Sequence, residues 1–346
     1  MKKNFYQSAM ALIAIAMLSL TSCGLLDLGG DSNSSKLEKS YISIENGVYH
    51  DGEFPAATID EELEGIELSD QIMNGAVNFI TVNTQQTVNK FFIGINGVNG
   101  YLEYVPEPTR AASSLKSYVI PLMIAQNYAG NCELRLSAEL QGGAVTIPSN
   151  IPLYQIETRP GTLEIKLSFN NEKDIDIHLF TPSGIHIYYG TSNGGYYYGD
   201  DYYLGDNYIE GDLLEFGLDI DSNADCSIDG VNKENIYIPK KFLENGTYRV
   251  AVDLYRNCDP SIPTSWSIVS RYNGDIINPV TGSNPAMGTF EVGAPSSYAE
   301  NLVEVMTFTI SNGTRSAASV APLNGLHKNM CLPISAGLRE KIQFGK

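Results

Sequence analysis

The sequence is poor in basic residues, in tryptophan and in histidine. Its 346 residues include 22 Lys or Arg against 40 Asp or Glu, which gives a net charge of -18 at pH 7. Because proteins that bind nucleic acid need a basic surface for the phosphates, this composition argues against a nucleic-acid partner. Only four His are present and none belongs to a closely spaced pair, so the sequence does not indicate a zinc site.

Motifs of several enzyme classes are also missing. The sequence contains no H-E-x-x-H and no P-loop. We therefore predict a protein that acts without catalysis. A glycoside hydrolase requires only two suitably spaced carboxylates, so Asp200, Asp201 and Glu234 leave that alternative open.

The first residues have the pattern of a lipoprotein signal peptide. A basic start is followed by an apolar run from Ala9 to Leu20, which is too short to span a membrane as a helix. The run ends in Leu20-Thr21-Ser22-Cys23, which resembles the bacterial lipobox. We expect residues 1–22 to be removed and Cys23 to carry the lipid.

Residues 23–40 are rich in Gly, Ser, Asn and Asp, a composition typical of a flexible tether. The lipobox resembles that of Bacteroides-type outer-membrane lipoproteins. This resemblance implies that the lipid on Cys23 anchors the protein in the outer-membrane bilayer. Asp27 and Asp31 match only part of the acid-rich signal for display outside the cell. The surface and periplasmic faces of the membrane therefore stay open alternatives.

Alternation of apolar and polar residues predicts an all-β chain. From Cys132 to Gln141 apolar residues take every second position, as in a strand with one buried face. About seven such runs between Asn-Gly turns predict an immunoglobulin-like antiparallel β-sandwich over residues 41–160. After Pro160-Gly161 a second series of strands predicts another β-sandwich over 161–314, and residues 315–346 carry no strand pattern.

Four cysteines follow Cys23, in a compartment that permits disulfides. Cys226 and Cys258 lie 32 residues apart within the second predicted sandwich. We predict a bridge between them, which would stabilise the fold by roughly 3–4 kcal/mol through the entropy of loop closure. For Cys132 two alternatives stand, a buried free thiol and a bridge to Cys331.

An acidic strand is the first candidate for metal binding. The segment D-I-D-I-H places Asp174, Asp176 and His178 on one face. Carboxylates side by side repel each other unless water or a cation lies between them. A solvent-exposed face and a metal site are therefore both open interpretations.

An acidic loop is the second candidate. Residues 219–225 have the spacing D-x-D-x-N-x-D, which suits a loop that wraps oxygens around Ca²⁺, although Ala224 and Gly230 exclude an EF-hand. Asx turns without an ion are the competing interpretation. Taking both segments together, we predict a structural calcium site with the ligands Asp174, Asp176, Asp219, Asp221, Asn223 and Asp225.

Several motifs of the second predicted sandwich occur in a definite order. The D-I-D-I-H strand and its P-S-G turn are followed by L-D-I-D at residues 218–221, E-N-I at 234–236 and G-T-Y-R-V-A-V-D-L-Y at 246–255. This order resembles the YfaP-like family of secreted β domains over about residues 155–275. The resemblance implies a module of adhesion and surface proteins, largely of unknown activity, with Asp174, Asp176, Asp219 and Asp221 as structural or ion-binding acids.

An insertion between Gly190 and Gly211 departs from that family's pattern. Tyrosine offers a flat apolar face and a polar tip at low entropic cost, which suits contact with sugars or proteins, whereas packing on the sandwich edge is the alternative. We predict a glycan- or protein-binding loop formed by Tyr196, Tyr197, Tyr198, Tyr202 and Tyr203. The expected function is that of a lipid-anchored cell-envelope protein of the binding or adhesion type, with a carbohydrate-binding accessory lipoprotein of a glycan-uptake system as the alternative.

Overall fold

The part of the chain that the structure describes consists mainly of β-strands. The computed structural model describes residues 36–106, 115–189, 216–311 and the strand Thr314–Arg315. The fold is all-β and predominantly antiparallel, as the sequence predicted. Among these residues, no helix is long and apolar enough to cross a membrane.

The first β-sandwich follows a short helix, α1 (Lys36–Ser40). Its strands are β1 (Ile42–Ser43), β2 (Val48–His50), β3 (Ile66–Glu67), β4 (Gln71–Ile72), β5 (Val77–Thr84), β6 (Val88–Ile95), β7 (Tyr101–Tyr104), β8 (Lys116–Ile124), β9 (Asn131–Leu140) and β10 (Ser149–Gln155). Sheet I has the order β1-β8-β5-β3, and sheet II has the order β2-β7-β6-β9-β10-β4. Within these two sheets β10 and β4 pair in parallel, and the other neighbours pair antiparallel.

Apolar side chains on the facing sides of sheets I and II form the first core. Ile120 and Leu122 of β8 face Phe91 and Ile93 of β6 across this space, and Leu37 of α1 is fully buried with them. Residues 36–40 are therefore part of the sandwich, and the prediction of a flexible tether is wrong for this stretch. Leu37 explains the difference, because burying one Leu side chain stabilises the folded state by roughly 2 kcal/mol.

The second β-sandwich contains the strands from residue 163 onward. They are β11 (Leu163–Phe169), β12 (Asp174–Phe180), β13 (His186–Ile187), β14 (Gly217–Ile220), β15 (Lys233–Ile238), β16 (Gly246–Arg256), β17 (Thr264–Tyr272), β18 (Asp275–Ile276), β19 (Thr281–Gly282), β20 (Ala286–Phe290), β21 (Val303–Ser311) and β22 (Thr314–Arg315). Short 3-10 helices occur at Ala224–Cys226 and Lys240–Phe242.

These strands also form two sheets with an apolar core between them. Sheet III has the order β14-β15-β11-β17-β18, with β20 beside β17, and sheet IV has the order β13-β12-β16-β21-β19, with β22 beside β21. Ile165 and Leu167 of sheet III pack with Ile177, Leu179 and Val250 of sheet IV. The apolar half of each predicted alternation thus faces the core, as period-two patterning requires.

The two sandwiches pack on each other through sheets I and III. Val77 and Phe79 of β5 contact Val269 of β17 in a small apolar cluster. Every residue of β11 is buried, including the polar positions that alternate with its core residues. The sheets are therefore stacked in the order II, I, III, IV, and the polar face of sheet III lies against the first sandwich instead of water.

Three cations, Lys166, Lys233 and Arg271, lie on this buried polar face, which we call the basic interface. Lys166 Nζ donates to the carbonyl of Asn74 at 2.8 Å, and Arg271 Nε donates to the carbonyl of Gly75 at 2.9 Å. Gly75 has φ +70°, and an added Cβ would lie 2.7 Å from Arg271 Nε, so glycine is required there. Backbone carbonyls of the first sandwich thus accept from Lys166 and Arg271, while Lys233 Nζ donates to the carbonyl of Val231 at 3.1 Å.

Candidate metal centre

The acidic strand of the sequence analysis is buried, so the interpretation of a solvent-exposed face is wrong. Asp174, Asp176 and His178 of β12 are at most 2% exposed, although they lie on the face of sheet IV opposite its core. On the same face Phe180 packs with Ala251 of β16 and with Leu302. The chain that returns to β21 therefore covers part of a surface that alternation alone would leave in water.

Asp176 meets two carboxylates from other elements, and we call the three residues the acidic cluster. Asp221 follows β14, and Glu234 lies on β15 at a position whose neighbours Ile236 and Ile238 face the core. One carboxylate oxygen from each residue lies within 4.8 Å of the others. Asp176 and Glu234 are at most 2% exposed, so two of the three acids are deeply buried.

Glu234 is held in place on one side of its carboxylate. Its Oε2 accepts a hydrogen bond from the Ile177 amide at 2.7 Å. Its Oε1 is buried and accepts no hydrogen bond from any residue that the structure describes. Burial, and then the neighbouring Asp176 and Asp221, hold the pKa of Glu234 well above its usual range. A bound cation would offset the repulsion among these carboxylates and give Oε1 a partner.

Asp176 also belongs to a second group, which we call the His178 cluster. It consists of Asp176, His178 and Asp253, each of which offers one ligand atom within 4.8 Å of the others. Asp253 Oδ2 accepts a hydrogen bond from the Ala299 amide at 2.8 Å. Burial raises the pKa of Asp253 to about 6, against the lowering effect of that amide and of Ser297.

The His178 ring is fixed by other aromatic side chains. Its Nδ1 lies 2.9 Å from Nε2 of His186, so one of these nitrogens donates a proton to the other. His186 in turn stacks on Phe180 and on Tyr188, with centroid separations of 4.3 and 4.1 Å. The packing leaves the His178 imidazole little rotational freedom.

The acidic loop does not gather its side chains around one ion. Asp219 accepts hydrogen bonds from the Arg159 amide and from Asn235 Nδ2, both at 2.6 Å. Asp225 forms an ion pair with Arg256, and its amide donates to Asp174 Oδ2 at 2.6 Å. Of the six predicted ligands, Asp176 and Asp221 are the two that the acidic cluster contains.

Asx hydrogen bonds close the rest of this loop. Asn223 Oδ1 accepts from the Asp229 amide at 3.0 Å, and Ser222 Oγ donates to Asp229 Oδ1 at 2.7 Å. Asn223 and Asp225 have φ values of 60° and 52°, in the left-handed region that Asn and Asp tolerate. The alternative prediction of Asx turns without an ion is therefore the one that fits Asn223 and Asp229.

The predicted disulfide between Cys226 and Cys258 is present, and it ties the acidic loop to the end of β16. Cys132 is a half-buried free thiol. Cys23 and Cys331 lie outside the described residues, as do the five tyrosines of the predicted binding loop and the acids Asp200 and Asp201.

Sequence reasoning missed Glu234 and Asp253 as partners of Asp176. The sequence presented Glu234 as a possible glycosidase carboxylate and as part of the E-N-I motif, although its place on the core-facing side of β15, two residues before Ile236, was the available signal. Asp253 interrupts the apolar run of β16 between Val252 and Leu254. An acid in the middle of a central strand is costly unless it has a partner, and this cost was the signal.

Comparisons with known proteins identify no family. No protein family and no curated protein matches the chain. Among solved structures, the fibronectin(III)-like modules of Clostridium thermocellum CbhA are 12% identical, with a TM-score of 0.18 and coverage of 63% of this chain and 87% of that one. InvD of Yersinia pseudotuberculosis is 14% identical, with a TM-score of 0.17 and coverage of 74% of this chain and 87% of that one.

Proposed function

We propose that this chain is a lipid-anchored binding protein of the cell envelope whose second sandwich is stabilised by a calcium ion. The ion would bind Asp176, Asp221 and Glu234. The observation that carries the calcium site is Glu234 Oε1, a buried carboxylate oxygen that accepts no hydrogen bond within the described part of the chain. The anchor is supported by the lipobox pattern that ends at Cys23.

Calcium suits this donor set. Its ligands in proteins are carboxylate, carbonyl and water oxygens, six to eight in number, and the acidic cluster supplies three carboxylates. A divalent ion would offset the repulsion among the buried acids. It would also join sheet III, through Glu234, to sheet IV, through Asp176. The expected role is structural, because the ion would link a strand of one sheet to a strand of the other.

A binding role is supported by three neighbouring tyrosine side chains of the second sandwich. The rings of Tyr189 and Tyr255 lie 5.1 Å apart, and that of Tyr298 lies 5.5 Å from Tyr255. Tyr298 is 55% exposed, which leaves one aromatic face available to a ligand. Neighbouring tyrosines with an exposed ring suit sugars or protein surfaces. Carbohydrate binding is the specific alternative that Tyr298 favours, and a glycan-array signal lost in Tyr298→Ala would support it.

Thermal unfolding with and without calcium tests the ion site. The full-length protein in detergent would be freed of metal with a chelator and then titrated with Ca²⁺. An ion that binds only the folded state stabilises it by about 2.7 kcal/mol at a hundredfold excess over its dissociation constant. We expect a rise in the unfolding midpoint that is lost in Asp221→Asn.

Asp225→Asn is the matched control, since Asp225 lies in the same loop but pairs with Arg256. Its calcium response should equal that of the wild type. Calcium-independent midpoints in the wild type would overturn the ion site and leave the proposed anchor and binding role to be tested separately.

A further inference from the structure

The pairing of β12 with β16 creates a second electrostatic problem in sheet IV. The register places Asp176 directly opposite Asp253, with His178 two residues along on the same strand. Like charges directly opposite each other destabilise a sheet. Here Asp176 is 2% exposed and Asp253 is fully buried, so water cannot screen the repulsion. A positive group between the two carboxylates would remove it.

Asp253 presents an oxygen that the described chain leaves without a donor. Its Oδ2 is fixed by the Ala299 amide at 2.8 Å, while its Oδ1 is buried and accepts no hydrogen bond from a described residue. A buried carboxylate oxygen in that condition is costly unless a cation or another donor reaches it. A bound cation would give this oxygen a partner.

The donor set of this group differs from that of the acidic cluster. It contains an imidazole and two carboxylates, whereas the acidic cluster contains oxygen donors alone. Imidazole nitrogen favours ions of the zinc type over calcium, and zinc sites with three protein ligands leave a fourth position for water. A histidine that binds metal through one nitrogen usually forms a hydrogen bond at the other, and His178 has such a bond at Nδ1 with His186.

We propose that Asp176, His178 and Asp253 bind a second divalent cation, of the class of Zn²⁺, beside the calcium ion. The two sites share Asp176, whose carboxylate has two oxygens and can contact both ions. The zinc site depends on the proposed calcium site only through this shared ligand. His186 is a positioning residue, because it contacts the ring of His178.

Metal titrations of the full-length protein test the proposal. The chelator-treated protein in detergent, at saturating Ca²⁺, would be titrated with Zn²⁺ by calorimetry and with Co²⁺ by visible absorption. We expect one tight Zn²⁺ site and visible Co²⁺ absorption bands that indicate a low-coordinate site with mixed ligands. His178→Gln and Asp253→Asn should each weaken Zn²⁺ binding more than about a hundredfold. His186→Gln should weaken it about 10- to 100-fold, as loss of a ligand's hydrogen-bond partner does.

Two control variants separate this site from its alternatives. His50→Gln alters a histidine of the first sandwich, next to Glu103, and should leave Zn²⁺ binding unchanged. Asp221→Asn should abolish the calcium response and retain Zn²⁺ binding, so failure of either site is visible without the other. Zn²⁺ binding that survives both His178→Gln and Asp253→Asn, or no uptake by the wild type, would overturn the proposal.

X-ray absorption of the zinc-loaded wild type gives an answer that needs no variant. The proposal expects one imidazole and otherwise oxygen in the first coordination shell. Sulfur scattering would assign the ion to Cys132 or another thiol and would equally overturn the proposal.

Discussion

Two regions of the second sandwich bury charge, and they solve the problem in opposite ways. The basic interface on sheet III buries Lys166, Lys233 and Arg271, and each has a backbone carbonyl as acceptor within 3.1 Å. The buried acids include Glu234 of sheet III and Asp253 of sheet IV. Each has a buried carboxylate oxygen that accepts no hydrogen bond from a described residue.

The contrast separates a structural use of buried charge from a binding site. Backbone carbonyls are abundant wherever two sheets pack, so a buried cation can be satisfied by the fold itself. A buried carboxylate needs N–H or O–H donors or a cation. Glu234 accepts from the Ile177 amide and Asp253 accepts from the Ala299 amide, in each case at only one of the two carboxylate oxygens. We infer that the basic interface is complete, whereas the acidic groups are complete only with metal.

The first prediction concerns Glu164, which forms an ion pair with Lys166 at 3.1 Å in the basic interface. Glu164→Ala should leave a buried, uncompensated charge and reduce the free energy of unfolding by about 3–5 kcal/mol. Urea denaturation measures this loss. Glu172→Ala, at an exposed position near the end of the neighbouring loop, is the control and should change stability by less than about 0.5 kcal/mol. A Glu164→Ala loss below 1 kcal/mol would contradict a complete interface.

The second prediction is a pH dependence that arises from Lys233. Burial lowers its pKa from 10.5 to about 7 in the folded protein, so unfolding takes up a proton above pH 7. Stability should therefore rise with pH, by about 2 kcal/mol from pH 7 to pH 9, and this contribution is lost as pH falls through 7. Lys233→Met should remove that rise and increase stability at pH 7. Parallel pH profiles of the two proteins in urea would show that Lys233 is not the titrating group.

The third prediction concerns Glu234 and has opposite signs with and without metal. In chelator, Glu234→Gln removes a buried acid from the acidic cluster and should stabilise the protein by about 1–2 kcal/mol. In excess Ca²⁺ the wild type should be the more stable of the two, because the variant lacks a ligand. Thermal unfolding in both buffers measures the crossover, and a variant less stable than the wild type in chelator would contradict our account of the acidic cluster.

The smallest effect is expected at Asp225. Its ion pair with Arg256 is exposed, with side-chain accessibilities of 57% and 42%. Asp225→Asn should therefore cost less than about 1 kcal/mol, and added salt should reduce that cost further. A loss above 2 kcal/mol, measured by urea denaturation, would show that the acidic loop is organised around Asp225 after all.

Much of the fold followed from local sequence. The strand at Cys132–Gln141 and the D-I-D-I-H strand were predicted from alternation, and the structure confirms them as β9 and β12. Strand β10 (Ser149–Gln155) was missed, because it contains Pro152 and has several exposed positions instead of a regular apolar side. The disulfide was predicted because Cys226 and Cys258 fall in one sandwich.

The candidate site was predicted only in part. Asp176 and Asp221 were predicted as ligands because each lies two residues after another Asp, a spacing that is recognisable in the sequence. Glu234 and Asp253 were not, because each is the only acid of its strand and has no acidic residue at an alternate position in that strand. Spacing predicted Asp225, and spacing together with the family resemblance predicted Asp219, but tertiary hydrogen bonds direct both to other partners.

Local sequence specifies the all-β class, most of the strands and the apolar side of those strands, since all three depend on a period of two residues. Tertiary structure decided whether the polar sides meet water. Sheet I covers the polar side of sheet III, and the segment before β21 covers part of that of sheet IV. Strand register decided that Asp176 faces Asp253. Neither decision is local, because burial and pairing depend on which distant segment of the chain packs against a strand.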